Sequence, residues 1–143
     1  MTLVRQIFHC LSRIPGRMPP RILIVDDSAL IRGILRQIFE LEPGWQVSGE
    51  AGNGKEGIER AQQVHPNFII LDISMPVMNG LEAAKALTQL MPSVPLIMFT
   101  SFMTARLESE CQAVGVKRVF VKGGPLADLI GCVRSLVAEA DAA

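Results

Sequence analysis

The sequence predicts an α/β domain, a doubly wound parallel sheet of five strands with helices on both faces. Three observations predict it. Short apolar runs, too brief for helices, alternate along the chain with longer stretches whose apolar residues recur at helical spacing. The runs are unbroken rather than alternating, which is the pattern of strands buried on both faces. Each of the most apolar runs ends in charged or hydroxylated residues, and a parallel sheet gathers such strand ends along one edge, where α/β folds place their ligand sites.

The first run, Arg21-Ile22-Leu23-Ile24-Val25, drives into the adjacent carboxylates Asp26 and Asp27, because a strand covered on both faces has room for charge only at its end. Leu30, Ile31, Ile34, Leu35, Ile38 and Phe39 then form the apolar stripe of a helix that Ser28 or Asp27 can cap and that stops before Pro43-Gly44. Val47 to Ala51 is a less apolar strand nearer the sheet edge, followed by the turn residues Gly52-Asn53-Gly54. Residues 55–64 make a second helix with Ile58, Ala61 and Val64 inward, ending before Pro66. Phe68-Ile69-Ile70-Leu71 is the next strand and delivers Asp72.

A third helix starts near Gly80 or Leu81, turns Leu81, Ala84 and Leu87 inward, and ends before Pro92. The strand Pro95-Leu96-Ile97-Met98-Phe99 ends in Thr100 and Ser101, and a short helix over 104–113 follows with Leu107, Cys111 and Val114 on its modest apolar face. Arg118-Val119-Phe120-Val121 delivers the ammonium of Lys122. The last helix runs from Pro125, in the favoured first turn, to about Ala138, with Leu129, Ile130, Val133, Leu136 and Val137 inward. Alternation of this kind implies parallel strands joined by right-handed crossovers.

The 143 residues fit one domain, and 49% hydrophobic content is ample for a core. Basic and acidic residues balance at 14 each, so there is no net cationic field of the kind that holds nucleic acid or an anionic membrane. Three of the basic residues, Arg5, Arg13 and Arg17, lie in residues 1–20, which contain no acid; the remainder of the chain is therefore mildly acidic. Cys10, Cys111 and Cys132 are odd in number and lack metal-ligand spacing, which points to reduced thiols in a cytoplasmic protein. No apolar stretch reaches membrane-spanning length, and residues 1–20 lack the continuous apolar segment of a secretory signal.

The chain divides into an extension over residues 1–20, a domain over 21–138 and a tail over 139–143. Leu3, Val4, Ile7, Phe8, Leu11 and Ile14 give residues 2–14 the pattern of a short amphipathic helix, a basic surface for a membrane or partner if it has a function and a dispensable terminus if it has none. Met18 is a candidate translation start.

With parallel strands, Asp26, Asp27, Asp72, Thr100 and Lys122 converge, a set suited to one divalent cation and one phosphoryl group. An isolated Asp27 would be read as a helix cap. Three clustered carboxylates instead call for a cation. Gly52-Asn53-Gly54-Lys55 is a turn rather than a phosphate loop, since Glu56 stands where a hydroxyl would be needed, and His9 and His65 lie too far apart to form a site.

Five βα units with an acidic pair ending the first strand, Asp the third, Thr the fourth and Lys the fifth resemble the receiver domain of bacterial two-component response regulators. The segment Leu71-Asp72-Ile73-Ser74-Met75-Pro76-Val77-Met78-Asn79-Gly80 resembles that family's phosphoacceptor signature almost residue for residue, and the likeness extends from residue 21 to about 138. The resemblance implies a flavodoxin-like strand order, 2-1-3-4-5. It implies that Asp72 accepts a phosphoryl group from a sensor histidine kinase or phosphotransfer protein. Mg2+ would be held by Asp27 and Asp72 directly, by Asp26 mainly through water, and by the backbone carbonyl of Ser74. Lys122 and Thr100 would contact the phosphoryl group, and Phe120 would swing inward as Thr100 moves.

The family follows its lysine with proline, whereas Gly123-Gly124 intervenes here before Pro125. The expected output is a downstream protein contact through the fourth helix, fifth strand and fifth helix, with no room after residue 138 for a DNA-binding or enzymatic domain. An alternative from the enzyme class is a Mg2+-dependent phosphohydrolase passing through an aspartyl phosphate, which wants an acid where Ser74 stands. A third is a receiver-like scaffold that is never phosphorylated.

Overall fold

The structure, a computed structural model, describes residues 19–142, so the expected helix over residues 2–14 and the alternative start at Met18 lie outside the described residues. Five strands, β1 (Arg21–Val25), β2 (Gln46–Ala51), β3 (Phe68–Leu71), β4 (Leu96–Thr100) and β5 (Arg118–Val121), alternate with five helices: α1 (Ala29–Glu40), α2 (Gly54–Val64), α3 (Gly80–Leu90), α4 (Ala105–Ala113) and α5 (Leu126–Ala142). The strands form one parallel sheet in the order β2-β1-β3-β4-β5. Both the fold class and the strand order agree with the sequence reading.

The three central strands are the most apolar runs because they are covered twice. Their alternate residues divide into two cores. Leu23, Val25, Ile69, Leu71, Leu96 and Met98 pack beneath α2, α3 and α4, while Ile22, Ile24, Phe68, Ile70, Ile97 and Phe99 pack beneath α1 and α5. Burying such a side chain contributes about 1.5 to 3 kcal/mol, so the sheet ends are fixed in space by the packing of the sheet centre.

Turn residues set the helix starts. The side chains of Ser28, Asn53, Asn79 and Thr104 each accept a hydrogen bond from the backbone N–H three residues on, at 2.9 to 3.3 Å. Of the two candidate caps for α1, Ser28 serves, which leaves Asp27 free of that duty.

Three expectations need correction. Leu30 and Ile34 are exposed, at 73% and 39%, rather than part of the buried stripe of α1, because the face that meets the sheet is filled by Ile31, Leu35, Ile38 and Phe39. Pro125 precedes α5 instead of lying in its first turn, its carbonyl accepting from the Asp128 N–H at 3.1 Å. And α5 continues to Ala142, so most of the expected tail is helical.

Two close approaches join the helices to the edge where the acids lie. A Cβ at Gly80 would stand 2.0 Å from the carbonyl oxygen of Asp72, and a Cβ at Gly54 would stand 2.7 Å from that of Met78, whose oxygen accepts the Gly54 N–H at 3.0 Å. Only glycine permits either contact.

Candidate functional site

Backbone bonding at the C-terminal edge of the sheet fixes where each acidic side chain begins. Asp26 donates its N–H to Ala51 O at 3.0 Å, Asp72 donates to Val25 O at 2.9 Å, and Lys122 donates to Thr100 O at 2.7 Å, so the ends of β2, β1 and β3, and those of β4 and β5, are stitched together at the residues that carry charge. Asp26, Asp72 and Thr100 are buried and Asp27 is exposed. Each of the three acids offers a carboxylate oxygen within 4.8 Å of the others.

Lys122 spans the two buried acids. Its Nζ lies 2.7 Å from Asp26 Oδ2 and 3.2 Å from Asp72 Oδ2, and 5.9 Å from the centre of the Phe99 ring. The second oxygen of each acid is turned to the backbone: Asp26 Oδ1 accepts from the Ser28 N–H at 2.9 Å and Asp72 Oδ1 from the Ile73 N–H at 2.8 Å. Burial, then the neighbouring charge of Asp26, pushes the Asp72 carboxyl above the ordinary 3.8, against the pull of Lys122. Burial alone would lower the Lys122 ammonium, but its hydrogen bond to Asp26 and the charges of both acids outweigh that and hold it above 10.5.

Three carboxylates against one ammonium leave the cluster negative. All its donors are hard oxygens, and the exposed Asp27 leaves one side open to water, as Mg2+ coordination requires. Asp26, Asp27, Asp72, Lys122 and Thr100 are thus brought to one edge of the sheet. Ser74 is exposed in the segment between β3 and α3, in which Val77 takes a left-handed φ of 69°. Gly123, at φ 93°, turns the chain directly after Lys122.

Phe120 is not on the face the expected switch requires. Across the β4–β5 ladder Phe120 pairs with Phe99 and Thr100 with Val121. Phe99 and Phe120 belong to the core beneath α1 and α5, whereas alternation along β4 turns Thr100 the same way as Met98, toward α3 and α4. Space vacated by Thr100 therefore opens on the opposite side of the sheet from the Phe120 ring. The partly buried β5 residue on the Thr100 side is Val119.

Two further residues shape the site without belonging to the charged set. Gly80 lets α3 press against the Asp72 carbonyl, as described above. Arg32 Nη1 donates to the Asp26 carbonyl at 2.7 Å while its Nε donates to Glu50 Oε1 at 3.2 Å. The asparagine cap before Gly80 was a sequence signal for the first contact. An arginine on the polar side of a helix gave none for the second.

A model of the response regulator receiver domain matches residues 22–134. The chemotaxis protein CheY of Thermotoga maritima is 35% identical over 105 residues, which cover 73% of this chain and 87% of that one. A protein-glutamate methylesterase/protein-glutamine glutaminase of Methanosarcina acetivorans is 42% identical over 94 residues, 66% of this chain but only 27% of the relative, so the chain spans about a quarter of that protein's length. Among solved structures, CheY in a Borrelia burgdorferi complex of CheX, CheY, BeF3 and Mg2+ superposes with a TM-score of 0.79 at 27% identity, covering 84% of this chain and 90% of that one. The response regulator domain of Thermotoga maritima CheB gives 0.76 at 29% identity, with 82% and 95% covered.

Proposed function

The chain belongs to the response regulator receiver domain family of two-component signalling, and from that premise we propose that it accepts a phosphoryl group on Asp72 from a sensor histidine kinase or phosphotransfer protein and passes the signal on by a changed protein-binding surface. The observation that carries this reading is the convergence of three carboxylates within 4.8 Å around an ammonium 2.7 and 3.2 Å from two of them.

Asp72 Oδ1 is held by the Ile73 amide and Oδ2 by the mobile Lys122 ammonium at 3.2 Å, so Oδ2 becomes the attacking atom as Lys122 shifts to the incoming phosphoryl oxygens. It forms a bond to phosphorus as the P–N bond of the donor phosphohistidine breaks, and the departing imidazole keeps the electron pair and takes a proton. Asp26, Asp27, Asp72 and the Ser74 carbonyl would hold Mg2+, which would supply neutralising charge at the transferring group. Lys122, a mobile point charge already beside Oδ2, follows the phosphoryl oxygens, and Thr100 donates its hydroxyl to one of them. Movement of Thr100 toward the new acceptor frees space beneath α4, on the Val119 side.

Leu30, Val77 and Phe102 are large, apolar and exposed, and they follow Asp27, Asp72 and Thr100 by three, five and two residues. They offer a phosphodonor protein apolar contact around the acids. Output runs through α4, β5 and α5, where a groove of about 190 Å3 is lined by Phe120, Val121, Pro125 and Leu129. No helix among the described residues is long and apolar enough to cross a membrane, and the proposed setting is the cytoplasm, with protein rather than nucleic acid as the downstream target. The chain acts as a phosphoacceptor that assists its own modification, and no esterase activity is proposed for it.

Incubation with Mg2+ and acetyl phosphate, followed by intact mass measurement, tests the proposal. A slowly decaying adduct of one phosphoryl group that disappears in Asp72→Asn is the expected result. Rapid multiple turnover of small phosphate esters would instead favour a phosphohydrolase, and no adduct with any donor would favour an unphosphorylated scaffold.

A further inference from the structure

We infer that Arg32 is a positioning residue for the acidic pair: its hydrogen bond to the Asp26 carbonyl fixes the peptide plane from which Asp27 departs, and so keeps both carboxylates aimed at one cation. The inference rests on the reading that Asp26, Asp27 and Asp72 hold Mg2+. The Asp26 carbonyl and the Asp27 nitrogen share one rigid plane. Its two neighbouring fixed points are the Asp26 N–H, bonded to Ala51 O at 3.0 Å, and the Asp26 carbonyl, bonded to Arg32 Nη1 at 2.7 Å. Among the described residues no hydrogen bond or ion pair restrains the exposed Asp27 carboxylate, so its direction is inherited from that plane.

Arg32 is itself held. Its Nε meets Glu50 Oε1 at 3.2 Å, and the other oxygen of Glu50 meets Arg36 Nη2 at 2.7 Å, with the side chains of Arg32 and Glu50 only 21% and 30% exposed. The fork of Arg32 therefore links α1, the edge strand β2 and the end of β1. A lysine cannot reproduce this, since its single ammonium lacks the two separated donors that reach a carbonyl and a carboxylate together.

Two effects of removing Arg32 have opposite sign, and that separates the inference from a simple charge effect. Loss of a cation near three acids makes the site more negative and tightens Mg2+ binding. Loss of the fixed plane lets Asp27 swing away and weakens it. Mg2+ titration calorimetry on the full chain, with Arg32→Ala, Arg32→Lys and the remote surface variant Arg106→Ala, decides between them. We expect roughly 10- to 100-fold weaker binding in both Arg32 variants, the range found for residues that orient metal ligands, with no change in Arg106→Ala.

Amide exchange without metal gives a second readout. The Asp27 and Ser28 amides should exchange faster in both Arg32 variants while those of β3 and β4 are unchanged. Tighter binding in Arg32→Ala with wild-type binding in Arg32→Lys would overturn the inference and leave the site reading intact. Wild-type binding in both variants would do the same. A wild-type chain that takes no Mg2+ would overturn the site reading and this inference with it.

Discussion

Replacing Lys122 with methionine keeps the length of the side chain and removes the ammonium that separates Asp26 from Asp72. In the pairs it forms, the Lys122 side chain is 15% exposed and those of Asp26 and Asp72 are 3% and 6% exposed, so solvent screens the bare acids weakly. Removing one partner of a buried ion pair typically costs about 3 to 5 kcal/mol. The acids have an escape that sets a ceiling: protonating one carboxyl of ordinary pKa 3.8 at pH 7 costs about 4 kcal/mol, and less for Asp72, whose carboxyl already lies higher. The expected loss is therefore about 3 kcal/mol near pH 7, or a fall of roughly 1.5 M in urea midpoint for a slope of about 2 kcal/mol per M.

The sign with pH follows. Lys122 is held above 10.5 in the folded chain, so its stabilisation is complete at neutral pH and is lost only as pH rises through that higher value. In Lys122→Met the penalty instead shrinks as pH falls and Asp72 takes its proton. Mg2+ should restore most of the loss, because the ion replaces the missing charge. Urea unfolding of both chains in EDTA and in excess Mg2+, at two pH values, is the assay. An unchanged midpoint in EDTA, or a loss indifferent to both Mg2+ and pH, would refute the reasoning.

Three other outcomes can be checked with similar material. Gly80→Ala should cost at least about 3 kcal/mol, the upper range for overpacking, and depress the acetyl phosphate adduct, since the new methyl would stand 2.0 Å from the Asp72 carbonyl; a melting temperature near that of the wild type would contradict the contact. Phe120→Leu should cost about 1 kcal/mol through its packing with Phe99 and Leu129 while leaving modification-linked amide shifts around Thr100 in place, and loss of those shifts would return Phe120 to a switching role. Because the folded Asp72 carboxyl titrates above 3.8, the folded chain keeps this proton to higher pH than the unfolded chain, and Mg2+ must displace it. Affinity should therefore weaken, with growing proton release on binding, as pH falls from neutral toward the range in which the folded Asp72 carboxyl takes its proton; calorimetry in buffers of different ionisation heat reads this, and affinity and proton release that stay constant down to the pH of acid unfolding would count against it.

The fold was legible because its central strands are buried on both faces and so write themselves as continuous apolar runs, Ile22–Val25 and Phe68–Leu71 above all. The acids were legible for the same reason, standing where those runs stop. The face of Phe120 was not, because Val119, Phe120 and Val121 are all apolar and give period-two alternation nothing to read; only the pairing of Phe120 with Phe99 places it. In α1, Leu30 and Ile34 sit at helical spacing with the core residues but just beyond the width of the face that meets the sheet. The apolar stripe of α5 ends at Val137, yet Glu139 to Ala142 contains neither glycine nor proline to stop a helix, so the helix continues past the last residue whose burial marks it. Arg32 was missed because a side chain reaching a backbone carbonyl six residues earlier depends on where α1 lies against β1, which no local pattern records.

The contacts of Gly54 and Gly80 give the pocket one stiff wall and one yielding wall. Behind Asp72, the Met78 carbonyl is locked to the front of α2, the Gly80 amide is bonded to Ile73 O at 2.8 Å, and neither glycine has slack to give. Across the pocket, residues 101–103 make no hydrogen bond to another element among the described residues, although Thr100 just before them is anchored through its carbonyl to Lys122. A bulky group arriving between the two walls would displace the weaker one, much as a vise moves only its sliding jaw, so the direction in which news of the event leaves the pocket is set mechanically before any partner is present.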